Sequence, residues 1–526
     1  MQKYSKFNAA CCTLALLAGM MVPSVSTAAQ VTLKSADGTV NLVGEFVEFK
    51  DDNYIIRTAL GDLRISASRV RCEGEACPEV GGTGTGVMIA GADAIGIGLM
   101  PLLMTGFASS MDADAEISNT AQGEAIAKIV ADGGFGDDIG AYLVSSTSSD
   151  AAFRSLLEGE AEIGMSDRRI LPSEAKQLRA SGAGNMVSPE QERVIAVDSL
   201  VVVTHPANPV QQISIEQLRD IYAGRITNWS QLGGENGEIK IVALPEGSDA
   251  HKFFSERVFG DGAAPYRNFA VADDYQVAAA MVNGDKNAIG YVGYAFQRGA
   301  KPMTLVNECG IPTKPDAFSA KTEEYALNRR MYLYNRVDNL SDASRDFLEF
   351  SISEDADGVI AKSGFIDLGI ARRSQDLTDA RALELINAAA DDFEAGVMRE
   401  MLGAMIRSDR LSTTFRFRPG SSKMDEKALL DMERLINFLS DYPEGTAITL
   451  VGFTDDVGAF ESNRDLSVKR SQQVREDLLA TAGSRLSGIT VNAIGFGEIA
   501  PSACNFSDQG RSINRRVEVW IDKNAS

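Results

Sequence analysis

Near the C-terminus, an alternating strand, a loop carrying an acid and a helical stripe carrying a cation follow one another, and that order constrains the fold more than any other feature. Ile448-Thr449-Leu450-Val451 alternates as a half-buried strand does. Gly452-Phe453-Thr454-Asp455-Asp456-Val457-Gly458 ends that strand in a glycine-bounded loop, so Asp455 sits at a strand-to-loop exit. Arg470 opens a stripe continued by Val474 and Leu478 at i, i+4 spacing, which puts all of them on one helix face. Arg515 and Arg516 precede a second alternating run, Val517, Val519 and Ile521. An α+β unit built this way brings a fixed carboxylate and a fixed cation towards one pocket.

With the entry strand Thr413-Thr414-Phe415-Arg416-Phe417 running into Pro419-Gly420-Ser421-Ser422, and with Asn463, Leu466 to Arg470 and Asn514 to Glu518 in order, residues 411–522 resemble the OmpA-like peptidoglycan-binding domain. Phe453 departs from the family, which usually has histidine there. The resemblance implies binding of the diaminopimelate stem peptide of peptidoglycan. That ligand carries an ammonium and a carboxylate on one carbon, so its reader needs an acid and a cation close together. Asp455 and Arg470 match those two positions. One of Arg515 and Arg516 is expected to pair with an acid inside the domain.

At 526 residues the chain exceeds what one core serves, and about three domains are expected. Asp and Glu outnumber Lys and Arg by 73 to 51, a net charge of -22 without long like-sign blocks. Nucleic acid is therefore an unsuitable partner, since binding it needs a basic face to replace phosphate counterions. Anionic lipid is disfavoured for the same reason.

Residues 1–29 read as a secretory signal, with Lys3 and Lys6, an apolar centre from Ala9 to Val22 and a small-residue exit Thr27-Ala28-Ala29. Cys11 and Cys12 fall inside its apolar centre and read as filler rather than as a lipid attachment site. Export would leave four cysteines in an oxidising compartment. Cys72 and Cys77 close a very short loop, and a disulfide is the expected pairing, because no second Cys or His pair completes a metal site. Nothing in the sequence says whether Cys309 and Cys504 pair. Only His205 and His251 occur, and neither sits in a nucleophile-and-base motif, so neither an enzyme nor a cofactor or metal is implied.

Residues 30–80 alternate polar and apolar residues between Asp/Gly/Asn turns and predict a small β module stapled by Cys72 and Cys77. Residues 81–86 form a Gly/Thr linker. Val87 to Phe107 is apolar, yet Asp93, Pro101 and several glycines favour a buried strand, a turn and a buried helix over a membrane span. From there to Leu368, strands alternate with amphipathic helices as in an α/β domain. Residues 369–410 are expected to be a largely helical connection, with Leu383, Leu385, Ile386, Phe393, Val397 and Met401 among its apolar positions.

The run Ile215 to Trp229, with Ser248, Glu324 to Arg330 and the closing Gly364-Phe365-Ile366-Asp367-Leu368, makes residues 86–368 similar to the substrate-binding protein of phosphate ABC transporters. The family fold is two-lobed and holds an oxyanion between its lobes with hydroxyls, main-chain N–H groups and usually one arginine. Three loops would carry that role here. The first reads Gly91-Ala92-Asp93-Ala94-Ile95 and lacks the family hydroxyls. The second, Ser145-Ser146-Thr147-Ser148-Ser149, keeps them. Asp167 matches the aspartate that accepts the proton of a bound phosphate, with a pairing to Arg168 or Arg169 as the alternative. The third loop reads Leu244-Pro245-Glu246-Gly247-Ser248-Asp249-Ala250, where Leu244 stands in place of the family arginine and two carboxylates are added. Asp93, Ser146, Thr147, Ser148, Asp167, Arg168 and Ser248 are the candidate ligand residues, and Arg168 or Arg169 is either the replacement cation or a member of ordinary surface or lobe-bridging salt pairs.

The sequence thus describes a mainly α/β multidomain protein of the Gram-negative envelope: a β module, a two-lobed solute-binding-like domain with altered oxyanion loops, and an OmpA-like α+β anchor. The expected location is the periplasm on peptidoglycan. Expected partners are peptidoglycan, a small anion or other solute, and an envelope protein. Two rivals stay open: a working oxyanion receptor for a transporter, and a structural or signalling protein with no small ligand.

Overall fold

The computed structural model describes residues 30–34, 41–50, 53–58, 61–66, 71–73, 77, 86–119, 124–134, 136–260, 268–375, 392–417, 424 and 426–525. Residues 1–29, expected as a signal segment, and residues 81–85, 376–391 and 419–422 lie outside the described residues. The chain divides into two compact units, the first holding the N-terminal module and the second the remainder.

The first unit is a five-stranded antiparallel sheet in the order Gly61–Ser66, Asn53–Thr58, Asn41–Lys50, Gln30–Lys34, Arg71–Glu73. Its inward residues Val31, Leu33, Tyr54 and Ile56 form a small core, as alternation predicts. Cys72 and Cys77 are joined by a disulfide and pack at its edge.

In the second unit, one long mixed sheet carries two hydrophobic cores. The strand Glu192–Thr204 and its antiparallel neighbour Asn328–Asn335 run through both halves. On the first lobe, Ile89, Leu103, Phe107, Val144 and Ile163 anchor one core, and Phe153, Leu156 and Tyr334 extend it. On the second lobe, Val201, Tyr222, Phe254, Tyr291 and Val292 anchor the other. Val87 to Phe107 folds as the strand Val87–Ala92 and the helices Asp93–Gly98 and Met100–Ser110. No helix among the described residues is long and apolar enough to cross a membrane.

The C-terminal sheet runs Arg372–Ser374, Ser408–Arg416, Arg516–Asp522, Ala447–Phe453, Thr490–Gly495. Period-two alternation sends Ile448, Leu450, Val517, Val519 and Ile521 to one face, under the helices Glu426–Ser440 and Phe460–Ala482. Val451, Phe453 and Trp520 go to the other face, where the helix Asp392–Arg407 covers them with Val397, Met398, Met401 and Met405. This arrangement corrects the expectation of a connecting segment at 369–410. Its strand pairs into the sheet, and its helix has an apolar stripe that only burial satisfies.

The two-lobed part and the C-terminal sheet are joined by buried polar contacts. Arg410 Nη2 and Ser502 Oγ each donate to Glu324 Oε1 at 2.8 Å. Arg416 Nε donates to Glu323 Oε2 at 3.0 Å, and Arg434 pairs with Asp357 while donating to Ile352 O at 2.8 Å. Cys309, in the second lobe, is disulfide-bonded to Cys504 of the C-terminal part across 195 residues of sequence.

Candidate functional site

The parallel strands Val87–Ala92, Asp138–Thr147 and Ile163–Ser166 deliver Asp93, the 145–149 hydroxyl run and Asp167 to one crevice. Open α/β sheets take their ligands at such carboxyl ends. Gly91 is required there: its φ is 145°, and a Cβ would lie 2.0 Å from Met165 O. From the opposite lobe, the helix Asp249–Phe259 enters with its N-terminus forward.

Each candidate residue has a definite place. Ser148 caps the helix Ser149–Glu158, its Oγ accepting from Ala151 N at 3.2 Å. Ser146 packs closely on Gly96, and Thr147 is exposed. Ser248 caps the second-lobe helix, its Oγ accepting from His251 N at 3.2 Å and donating to Pro245 O at 2.8 Å. Asp93 Oδ1 accepts from Ala94 N at 2.7 Å. Asp93 keeps a solvent-exposed side, but the protein packed around it, with Asp167 beyond, pushes its carboxyl up. Glu246 is exposed and faces solvent.

Of the two readings of Arg168, a salt pair within its lobe is the one its geometry takes. Arg168 is drawn to acids of its own lobe, donating to Glu174 Oε1 and Asp150 Oδ1, both at 2.7 Å. Arg169 likewise pairs with Glu192 at 2.9 Å. The cation of the crevice is Arg329, a residue outside the candidate set. Its side chain is 2% exposed and donates to Asp167 Oδ2, to Asp198 Oδ2 at 2.8 Å and to the Tyr275 hydroxyl at 2.8 Å. Asp167 Oδ1 also accepts from Ser149 Oγ at 2.8 Å. Arg329 therefore arrives already neutralised by Asp167 and Asp198. Among the described residues, no cluster of His, Cys, Asp and Glu is arranged to hold a metal ion.

Asp249 completes the crevice. Its Oδ2 accepts a hydrogen bond from Ser149 N at 2.6 Å, across the two lobes, and its side chain is only 8% exposed. Burial, then the nearby Asp167 charge, push the Asp249 carboxyl up.

The second candidate site lies on the C-terminal sheet. Asp455 leaves the strand Ala447–Phe453 as its spacing predicts, and Arg470 projects from the helix Phe460–Ala482. A Cβ on Gly452 would lie 2.0 Å from Ser467 O, so glycine lets that helix lie close on the strand. Asp455 Oδ2 accepts from Arg515 Nη1 at 2.6 Å, and Asp455 Oδ1 accepts from Val457 N at 3.3 Å. Arg470 lies over the Phe417 ring at 5.6 Å, and its buried Nη1 has no hydrogen-bond partner among the described residues. Burial lowers the Arg470 pKa; Asp455 opposes the shift and the Arg515 charge adds to it. Arg515, just before the last strand, pairs with Asp455, and fully buried Arg516, its first residue, pairs with Glu518. Phe453 carries the Arg516 guanidinium on its ring at 4.2 Å.

Residues 107–355 match the PBP superfamily domain, and residues 416–515 match the OmpA family. The C-terminal part is 38% identical over 116 residues to outer membrane porin F of Pseudomonas aeruginosa, a match covering 22% of this chain and 32% of the porin. The chain thus spans about a third of that relative's length. The two-lobed part is 26% identical over 232 residues to the phosphate-binding protein PstS of Staphylococcus saprophyticus, covering 42% of this chain and 70% of that protein. Among solved structures, an ABC-type phosphate transport receptor from Vibrio cholerae superposes with a TM-score of 0.40 at 22% identity, covering 53% of this chain and 99% of the receptor.

Proposed function

Because one chain carries both a PBP superfamily domain and an OmpA family domain, we propose that it is a periplasmic, peptidoglycan-anchored protein that presents a solute-binding-like domain at the cell wall. The observation that carries the anchoring half is the buried Nη1 of Arg470, without a hydrogen-bond partner among the described residues and near the Asp455 charge. A buried donor without a partner is costly, and a ligand carboxylate would satisfy it. An ammonium on the same ligand carbon would meet Asp455, whose Oδ1 accepts a long main-chain contact from Val457 N among the described residues. Diaminopimelate carries both charges on one carbon.

The two-lobed half reads as a domain with altered oxyanion loops, and not as an enzyme. Leu244 supplies no cation, Arg329 is committed to Asp167 and Asp198, and carboxylates crowd the crevice. These features favour a structural or signalling role over delivery of phosphate to a transporter.

Sacculus pull-down of the exported protein tests the anchor. Asp455→Asn and Arg470→Ala should each cost about 2 to 5 kcal/mol of binding, because each leaves a partner charge unpaired. Undiminished retention of both variants, in folded protein, would remove the assignment.

A further inference from the structure

A helix N-terminus facing a cleft between two lobes offers N–H donors and a partial positive charge to an anion. In this cleft, two of those donors already have side-chain partners. Ser149 N, at the first position of the helix Ser149–Glu158, donates to Asp249 Oδ2 at 2.6 Å, and Ala151 N donates to Ser148 Oγ at 3.2 Å. The Ser149 hydroxyl is committed to Asp167 at 2.8 Å.

The two partners of the Ser149–Asp249 contact belong to different cores. The helix that starts at Ser149 packs Phe153 and Leu156 into the first lobe. The helix that starts at Asp249 packs Ala250, Phe254 and Val258 into the second. Lys252, one turn along, reaches back to Asp150 Oδ2 at 3.1 Å. That pair is half-exposed and contributes little by itself. The Asp249 contact is buried and charge-assisted, which makes it the stronger of the two.

We propose that Asp249 is the resident anion of the cleft: a tethered carboxylate that occupies the helix N-terminus of the first lobe and latches the second lobe onto it without any solute. A free oxyanion would have to displace a group whose local concentration is fixed by the fold, in a crevice already held by Asp167, Asp198 and Arg329. The domain is then closed by its own chain, and opening it means withdrawing Asp249 from Ser149.

Hydrogen exchange on the whole exported protein tests the latch, because exchange reports local opening at each amide. Asp249→Ala should speed exchange across 149–152 at least tenfold while leaving the strand Ala447–Phe453 as in the parent. Lys252→Ala should change 149–152 little. Exchange across 149–152 within twofold of the parent in Asp249→Ala would overturn the proposal. Should Asp249→Ala loosen the C-terminal strand as well, Asp249→Ser decides by the same criterion, since serine suits a first helical turn but is too short to reach Ser149. Neither result bears on wall attachment, which the sacculus assay reads separately.

Discussion

Asp455 forms its ion pair with Arg515, whose Nη1 donates to its Oδ2 at 2.6 Å, while Arg470 on the neighbouring helix stands by as a nearby charge. The two arginines therefore divide the work at the pocket: one holds the carboxylate in place and the other keeps a donor open. Arg515→Ala should strip Asp455 of its partner in a pocket where both side chains are about 15% exposed or less. The expected result is a loss of about 2 to 4 kcal/mol in urea unfolding, together with weakened sacculus retention. Arg470→Ala should weaken retention without a comparable loss of stability.

Inorganic phosphate should bind the two-lobed domain far more weakly than a transport receptor would require. The missing cation at Leu244 and the buried Asp249 each remove or oppose a charge-assisted contact. Calorimetric titration of phosphate into the chain should show a dissociation constant of roughly millimolar or weaker. A sub-micromolar value would mean that Arg329 leaves its acids to serve the ligand.

Two acids should give opposite pH responses. Burial alone would raise Glu323, but Arg330 at 2.5 Å and Arg416 at 3.0 Å outweigh it and hold the carboxyl below its usual range. Its folded pKa is lower than its unfolded one, so its contribution is present above the unfolded value of about 4.3 and is lost as pH falls below it. Glu323→Gln should flatten that acid loss in chemical denaturation. Asp249 has the other sign: its folded pKa is raised, so stability falls as pH rises from about 3.9 through the raised value. Asp249→Asn should remove that fall.

Peptide mapping without reduction should recover Cys72 linked to Cys77 and Cys309 linked to Cys504. Cys504→Ser should cost about 2 to 4 kcal/mol of stability, since the second bond closes a long loop. Free thiols at all four positions in exported material would contradict both pairings.

The local elements were legible in the sequence, and the pairings between them were not. Alternation located the strand Ala447–Phe453 and the exit of Asp455, because period-two burial is written into consecutive residues. The partner of Asp249 is 100 residues away, that of Arg515 is 60 away, and Arg329 reaches Asp167 across 162. Arg329 lies near the start of its strand, inside the Glu324 to Arg330 stretch that carried the resemblance, but its acids lie far away in sequence, so only the assembled sheet reveals its role. Arg168 looked available for the same reason in reverse: Glu174 and Asp150, which hold it, come from two different helices.

The bond between Cys309 and Cys504 also determines how the molecule carries tension. A pull on the pocket around Asp455 and Arg470 reaches the second lobe through sulfur and the first through Arg434 and Asp357, with Arg410, Arg416 and Glu324 loaded alongside. Load shared in parallel over both lobes does not pry one from the other. A pull on the Asp455 and Arg470 pocket would therefore load the cleft from both sides at once.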